Sequence, residues 1–403
     1  MKKIVVILYM LLWAGTASRA GEEARQEPFL LYRLMQQDDV LSRYLLEAAD
    51  LDIQILFTRI CRDSSGEPVL YRHTFRLDEK AYFNPASLVK WPLILLTMEK
   101  VNELRGDIPA ISLDNRMEFL GHTPCMPRTT EDPLAPDRVP RLSNYIKEML
   151  LASDDNAYNR LYDFLGQEYI HRRLTEKGYD GVRVIARFAP CSYEENRRTP
   201  PIRLYDDADR LVYSQPEQVS QQPLSNPLGK VVMGGRDYSR FNRLSLEDMY
   251  EMMLGVFIPQ TVPEARRFAL SEADTGLLRN YTAMYPGDSE FGAFRDNARF
   301  YHRHLKKYLL YGRDPEATDI PGLRIHNMVG ESHGTLADVA YFVNPEEGVE
   351  FMLAAVINTC GKKEITYANY RYQQIGYPFL QRLGECVYRY CRQQTYNSFL
   401  RKR

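Results

Sequence analysis

Apolar residues recur along this chain with two different periods. From Gln36 to Ala49 the spacing is helical, with Leu41, Tyr44, Leu45 and Ala48 on one side. Asp52 to Ile60 and Val69 to Phe75 predict two strands, joined by the turn Asp63-Ser64-Ser65-Gly66. Pro85 ends an extended segment, and the apolar run Trp91 to Met98 predicts a buried helix that begins at about Ser87. Leu142 to Ala152 predicts a further helix. Leu244 to Val256 and Glu264 to Met284 are helical in pattern, and Ser245-Leu246-Glu247-Asp248 is a helix start. Between them and the early strands, Tyr205 to Pro227 is polar and rich in Gln, Ser and Pro, which predicts a loop or small lobe.

Towards the end, Leu323 to Val329, Ala337 to Val343 and Glu350 to Ile357 predict three consecutive antiparallel strands. Asn344-Pro345-Glu346-Glu347-Gly348 is the turn between the last two. A helix from about Pro378 to Arg392 would cover them. Two strands early, helices in the middle, then three strands and a helix predict an α/β fold. Its antiparallel sheet is built from both chain ends, flanked by helices, with a mostly helical lobe.

The N-terminus changes the picture of where this fold works. Lys2 and Lys3 form a charged start, Ile4 to Trp13 a short apolar core, and Ser18-Arg19-Ala20 a small-x-small cleavage site. Residues 1–20 therefore predict a secretory signal, too short for a membrane span. No cysteine follows the cut to carry a lipid anchor, and no later stretch resembles a span. A periplasmic or secreted protein is expected, with no membrane span in the mature chain. Removing Lys2, Lys3 and Arg19 takes the formal net charge from −1 to −4. That balance gives no electrostatic case for nucleic acid. Six cysteines lie beyond the cleavage site: Cys61, Cys125, Cys191, Cys360, Cys386 and Cys391. Fifteen pairings are open to them in an oxidising compartment, and their scattered spacing does not suggest a zinc site. Cys360, in an apolar strand, reads as a buried thiol.

Candidate chemistry sits at three places. Ser87-Leu88-Val89-Lys90 contains the only Ser-x-x-Lys in the sequence. On a helix, positions i and i+3 share a face, which sets a hydroxyl beside an amine able to activate it. Ser153-Asp154-Asp155-Asn156 follows the helix 142–152. Asn327-Met328-Val329-Gly330-Glu331-Ser332-His333-Gly334-Thr335-Leu336-Ala337-Asp338-Val339-Ala340 comes much later. In order and setting these resemble the Ser-x-x-Lys, Ser-Asp-Asn and Lys-Thr-Gly elements of class A serine β-lactamases and penicillin-binding proteins. The resemblance spans roughly residues 51–383. Glu194-Glu195-Asn196-Arg197, the run Asn242 to Asp248 and Gly376-Tyr377-Pro378-Phe379 are similar to a Bacteroidetes branch of that superfamily. It implies one hydrolase domain over residues 21–403, longer than usual through an insertion around 203–311. The implied partner is a small molecule, a β-lactam or peptidoglycan-like amide. No metal or other cofactor is implied, and a monomer is expected.

The same resemblance implies roles. Ser87 is the nucleophile that forms an acyl-enzyme, and Lys90 is its base. Ser153 passes a proton to the leaving nitrogen, and Asp154 braces the loop. Met328, Val329 and Gly330 line the substrate, with Asn156 near it. Three positions depart from the family pattern. Asp155 stands for an asparagine, and an ionised carboxylate cannot donate a hydrogen bond; pairing with Lys90 would hold that amine charged. Met328 stands for the lysine of the third element and brings no charge, so Arg324 or His326 on the same strand face are the substitutes. The family's Glu-x-x-x-Asn is missing from 187–197, which leaves Glu194 or Glu195 as the base for deacylating water. His302 and His304, in the basic stretch 303–307, read as a solvated helix face. No His-Glu-x-x-His or Walker loop occurs. A peptidase or esterase acting on a peptidoglycan fragment, and a binding protein on the same fold, remain the alternatives.

Overall fold

The computed structural model describes residues 29–221 and 223–401, so the expected signal segment lies outside the described residues. The helical run near the start is two helices, α1 (Leu30–Gln36) and α2 (Leu41–Glu47). The Asp38 carboxylate accepts from the backbone N–H groups of Val40 and Leu41, at 3.1 Å each, and restarts the helix there. Strands β1 (Gln54–Arg62) and β2 (Pro68–Phe75) follow as a hairpin. A short 3₁₀ turn (Ala86–Val89) runs straight into α3 (Lys90–Arg105), in which every residue from Lys90 to Val101 is buried.

The middle of the chain holds β3 (Arg116–Leu120), β4 (Arg128–Thr129), α4 (Leu142–Ala152), α5 (Asp155–Leu165), α6 (Gln167–Glu176) and α7 (Tyr193–Asn196). Then come β5 (Arg198–Thr199), β6 (Ile202–Tyr205), β7 (Leu211–Gln215) and β8 (Gln218–Val219). Residues 205–227 are thus not simply a loop. Strand β7 pairs with β6 in a small sheet of order β4-β3-β6-β7, and β8 pairs with β5. The polar composition misled because Gln215 is buried with partners: it accepts from Lys100 Nζ at 3.0 Å and donates to the Asp163 carbonyl at 3.3 Å.

A hairpin of β9 (Val232–Met233) and β10 (Arg236–Asp237) precedes α8 (Leu246–Phe257), capped by Ser245 as expected. Helix α9 (Glu272–Ala283) begins later than the pattern at Glu264 suggests. Ser271 and Asp274 form a reciprocal capping box that fixes its start. After α10 (Gly292–Arg295) come β11 (Arg324–Ser332), β12 (Thr335–Asn344), β13 (Val349–Asn358) and α11 (Tyr377–Arg401), which extends further than predicted.

The main sheet has the order β11-β12-β13-β1-β2, antiparallel throughout, and so joins both ends of the chain as expected. Each strand feeds two cores by alternation. Leu56, Met328, Val339 and Ala354 pack under α3, α4, α5 and α8. Ile55, Phe57, Val329 and Leu353 pack under α1, α2 and α11. Strands covered on both faces have no polar alternation, which is why β12 and β13 read as continuous apolar runs. Cys125 and Cys191 form a disulfide; Cys61, Cys360, Cys386 and Cys391 are free thiols, with Cys360 buried. No helix among the described residues is long and apolar enough to cross a membrane.

Candidate active site

Ser87 is carried by the 3₁₀ turn, in which residues i and i+3 eclipse. That geometry aligns Ser87 with Lys90 more directly than an α-helix would. Ala86, just before it, has φ 45°, a left-handed conformation that is costly for a residue with a Cβ. The Asn84 side chain holds this bend: its oxygen accepts from Ala86 N–H at 3.1 Å, and its nitrogen lies 3.0 Å from His333 Nδ1. Strand β11 presses on the turn from the side. A Cβ at Gly330 would stand 2.7 Å from the Pro85 carbonyl oxygen, so only glycine fits there.

Ser153 ends α4 in the left-handed conformation, at φ 59°, with its N–H donating to the Met149 carbonyl. Asp154 caps α5 by accepting from Ala157 N–H at 2.8 Å, which is the bracing role expected of it. The turn brings Ser153 and Asp155 to Lys90. Lys90 Nζ lies 3.0 Å from Ser87 Oγ, 3.1 Å from Ser153 Oγ and 2.7 Å from Asp155 Oδ1, and it also donates to the Ser153 carbonyl. Four acceptors exceed the three protons of an ammonium. As a neutral amine, Lys90 donates to two of these oxygens while its lone pair faces the Ser87 hydroxyl proton. Lys90 is wholly buried, and burial pushes its pKa down from the ordinary value; Asp155, whose carboxylate remains 61% exposed, pulls it back part of the way. Asn156 is exposed one position further and is not among the groups bonded to Lys90.

The third element corrects several expectations. Met328 faces the side of the sheet that carries Ser87 but is fully buried in the core, and Val329 turns to the opposite core, so neither side chain lines an open cleft. Gly330 packs directly against the nucleophile turn. The substitutes for charge fail too. Arg324 is four residues from Met328 along an extended strand, roughly 13 Å. His326 is buried against Phe257 and Tyr341, bonded to Thr282 Oγ1, and burial takes its pKa down to about 3, which leaves it neutral.

The loop expected to carry a water-activating carboxylate uses its acids locally. Glu195 caps α7, accepting from Ser192 N–H at 2.7 Å, and those bonds to Ser192 lower its pKa. Glu194 pairs with Arg197 at 2.9 Å. Glu195 is therefore a capping residue in place of the expected base. The side chain of this loop that meets Lys90 is Phe188, its ring centre 5.2 Å from Nζ and stacked on Tyr158 at 4.3 Å. Asn159 clamps the Phe188 backbone from both sides, accepting from its N–H at 2.9 Å and donating to its carbonyl at 3.4 Å.

A family model described as the beta-lactamase enzyme family matches residues 58–264, just over half of the 403. The chain belongs to the beta-lactamase enzyme family. Among solved structures, a mutant of PBP-A captured as an acyl-enzyme complex with penicillin G is similar over 90% of this chain and 97% of that one. Its identity is 16% and its TM-score 0.50, a likeness of fold. A β-lactamase from Xanthomonas campestris pv. campestris aligns over 87% of this chain and 96% of its own, at 15% identity and TM-score 0.47. An ancestral class A β-lactamase aligns over 88% and 98%, at 14% and 0.48. No curated protein matches.

Two residues of this family member's site were not legible in its sequence. Phe188 lies in an unremarkable Arg-Phe-Ala-Pro, and only the distant Asn159 marks its place. Lys306 was hidden in the basic stretch 303–307. That stretch is not a helix, and beyond the exposed Arg303 it is not solvated: His304, Lys306 and Lys307 are buried, and His304 Nε2 meets Asp319 at 2.8 Å. Lys307 Nζ donates to the carbonyls of Thr282 and Ile325 and to Asn327 Oδ1. Lys306 Nζ donates to the Met149 carbonyl at 3.2 Å and to that of Leu150, at the end of α4. Among the described residues, no group of three or more His, Cys, Asp or Glu is placed to hold a metal ion.

Proposed function

We propose that this chain is a serine acyl-transfer enzyme of the β-lactamase type. Ser87 Oγ attacks the carbonyl carbon of a β-lactam or related amide while the Lys90 amine takes its proton. The proton returns through Ser153 to the leaving nitrogen, the C–N bond breaks, and an ester remains on Ser87. The observation that supports this is the single amine of Lys90 within 3.1 Å of both serine hydroxyls. The Ser87 N–H, at the start of its turn, is positioned by sequence to help stabilise the oxyanion. The substrate is a small molecule, the site of action periplasmic or secreted, and the working unit a monomer.

Phe188 favours a particular form of this chemistry. The loop 187–197 places a ring beside Lys90 and engages Glu194 and Glu195 elsewhere, so it supplies no carboxylate to activate water. The acyl-enzyme should therefore form and persist, as expected of a protein that binds penicillin or processes a peptidoglycan-like amide more than of a fast β-lactamase. Intact mass after incubation with a penicillin tests both statements. The expected result is a Ser87-dependent adduct, absent in Ser87→Ala, with little nitrocefin turnover. Phe188→Glu should make the adduct decay at least about tenfold faster. Rapid decay of the wild-type adduct would overturn the slow form, and no adduct with penicillin would overturn the β-lactam assignment.

A further inference from the structure

Lys306 has no role in the chemistry above, yet it ends beside it. Its Nζ and the Ser153 N–H donate to the same oxygen, the Met149 carbonyl, at 3.2 and 3.1 Å. The second acceptor, the Leu150 carbonyl, belongs to the same last turn of α4. A helix C-terminus leaves its final carbonyls without intrahelical partners, and a cation there satisfies them. Lys306 thus underlies the left-handed turn that aims Ser153 at Lys90. The surroundings are not those of an ordinary buried lysine: its two bonded partners are carbonyls, with no carboxylate among them. The charged groups that act on it are Lys307 in its own segment, Lys90 from α3 and Asp338 from β12. Asp338 itself accepts from the Tyr308 and Leu309 N–H groups and from Asn327. Burial and the two neighbouring lysines hold the Lys306 pKa well below its ordinary value.

We propose that Lys306 is a positioning residue for acylation: it fixes the Ser153 turn from beneath, so that the Ser153 hydroxyl meets Lys90. The inference rests on the proposed role of Ser87 and Lys90. Removing Lys306 frees the α4 carbonyls and loosens Ser153, and a small misplacement near reacting atoms slows a reaction strongly. The loss falls on the step that Ser153 serves, proton delivery to a leaving nitrogen, and spares a reagent whose leaving group is fluoride.

The test measures Ser87 labelling by a fluorescent penicillin and by a fluorophosphonate in the full chain. In Lys306→Met, with thermal unfolding confirming a folded protein, penicillin labelling should slow by at least about tenfold and fluorophosphonate labelling should change far less. Lys306→Arg, which keeps donors for the α4 carbonyls, should restore most of the penicillin rate. A folded Lys306→Met that labels with penicillin as the wild type does, or that slows equally with both reagents, overturns the inference and leaves the proposed function standing. If Lys306→Met fails to fold, Lys306→Gln, whose shorter side chain reaches less far towards the carbonyls, carries the same criterion. Labelling of the wild type by fluorophosphonate alone, or by neither reagent, overturns the β-lactam assignment and the inference with it.

Discussion

At the scale of single residues, the site turns on which atoms share the Lys90 proton. Ser87 and Lys90 were legible from their spacing because a 3₁₀ turn and an α-helix both bring i and i+3 together. The pairing of Asp155 with Lys90 was legible from charge alone. What the motif did not reveal is the balance between the two effects on Lys90. Burial favours the free amine and Asp155 favours the ammonium, and burial wins, leaving the pKa below its ordinary value. Asp155→Asn removes the attraction and leaves the burial. The Lys90 pKa then falls further, so more free amine is present at any given pH. The pH midpoint of Ser87 acylation should move downward, and acylation near neutrality should accelerate, in a titration of labelling rate against pH. An unmoved midpoint would mean that Lys90 is not the group whose deprotonation limits the reaction.

At the scale of elements, strand β11 and the Ser87 turn are one mechanical unit. Strands β1, β12 and β13 were legible because each supplies both cores and is apolar at most positions. The small pairings β5–β8 and β6–β7 were not, since these strands are short and largely polar, and a buried polar residue such as Gln215 is held by partners elsewhere in the chain, Lys100 and Asp163. The start of α9 was missed for a related reason: the helical pattern runs on, but the Ser271–Asp274 box sets the boundary. Glycine at 330 read as family pattern, and the structure supplies its physical cause. The backbone of β11 approaches Pro85 too closely for a side chain. Gly330→Ala must displace either the strand or the turn, an overpacking cost of about 1–3 kcal/mol. The melting temperature should fall, and acylation should fall with it because the displaced element carries Ser87. A melting temperature and labelling rate equal to wild type would show that the turn yields without consequence.

At the scale of the whole molecule, the chain ends close the main sheet and the middle of the chain builds the walls of the site. The alternating sheet–helix–sheet order was enough to predict that arrangement. The link that fixes one of those walls was not predictable, because six cysteines leave fifteen pairings open. Cys125 and Cys191 are 66 residues apart and tie the segment before β4 to the loop that holds Phe188 against Lys90. Closing a loop of that length restricts the unfolded chain by about 4 kcal/mol on the chain-entropy account, and measured effects are commonly about 2–4 kcal/mol. The same loop is held by the Asn159 clamp, by Asn196 Oδ1 accepting from Arg187 N–H at 2.9 Å, and by the buried Arg187–Asp163 pair. The two kinds of restraint separate in one experiment. Cys125→Ser/Cys191→Ser should lower the unfolding midpoint in denaturant through the unfolded state. If the disulfide also keeps Phe188 seated, the acyl-enzyme should decay faster in the variant, because water gains access to the ester. A lowered midpoint with an unchanged acyl-enzyme lifetime would assign the seating of Phe188 to Asn159, Asn196 and Arg187, and the disulfide to stability alone.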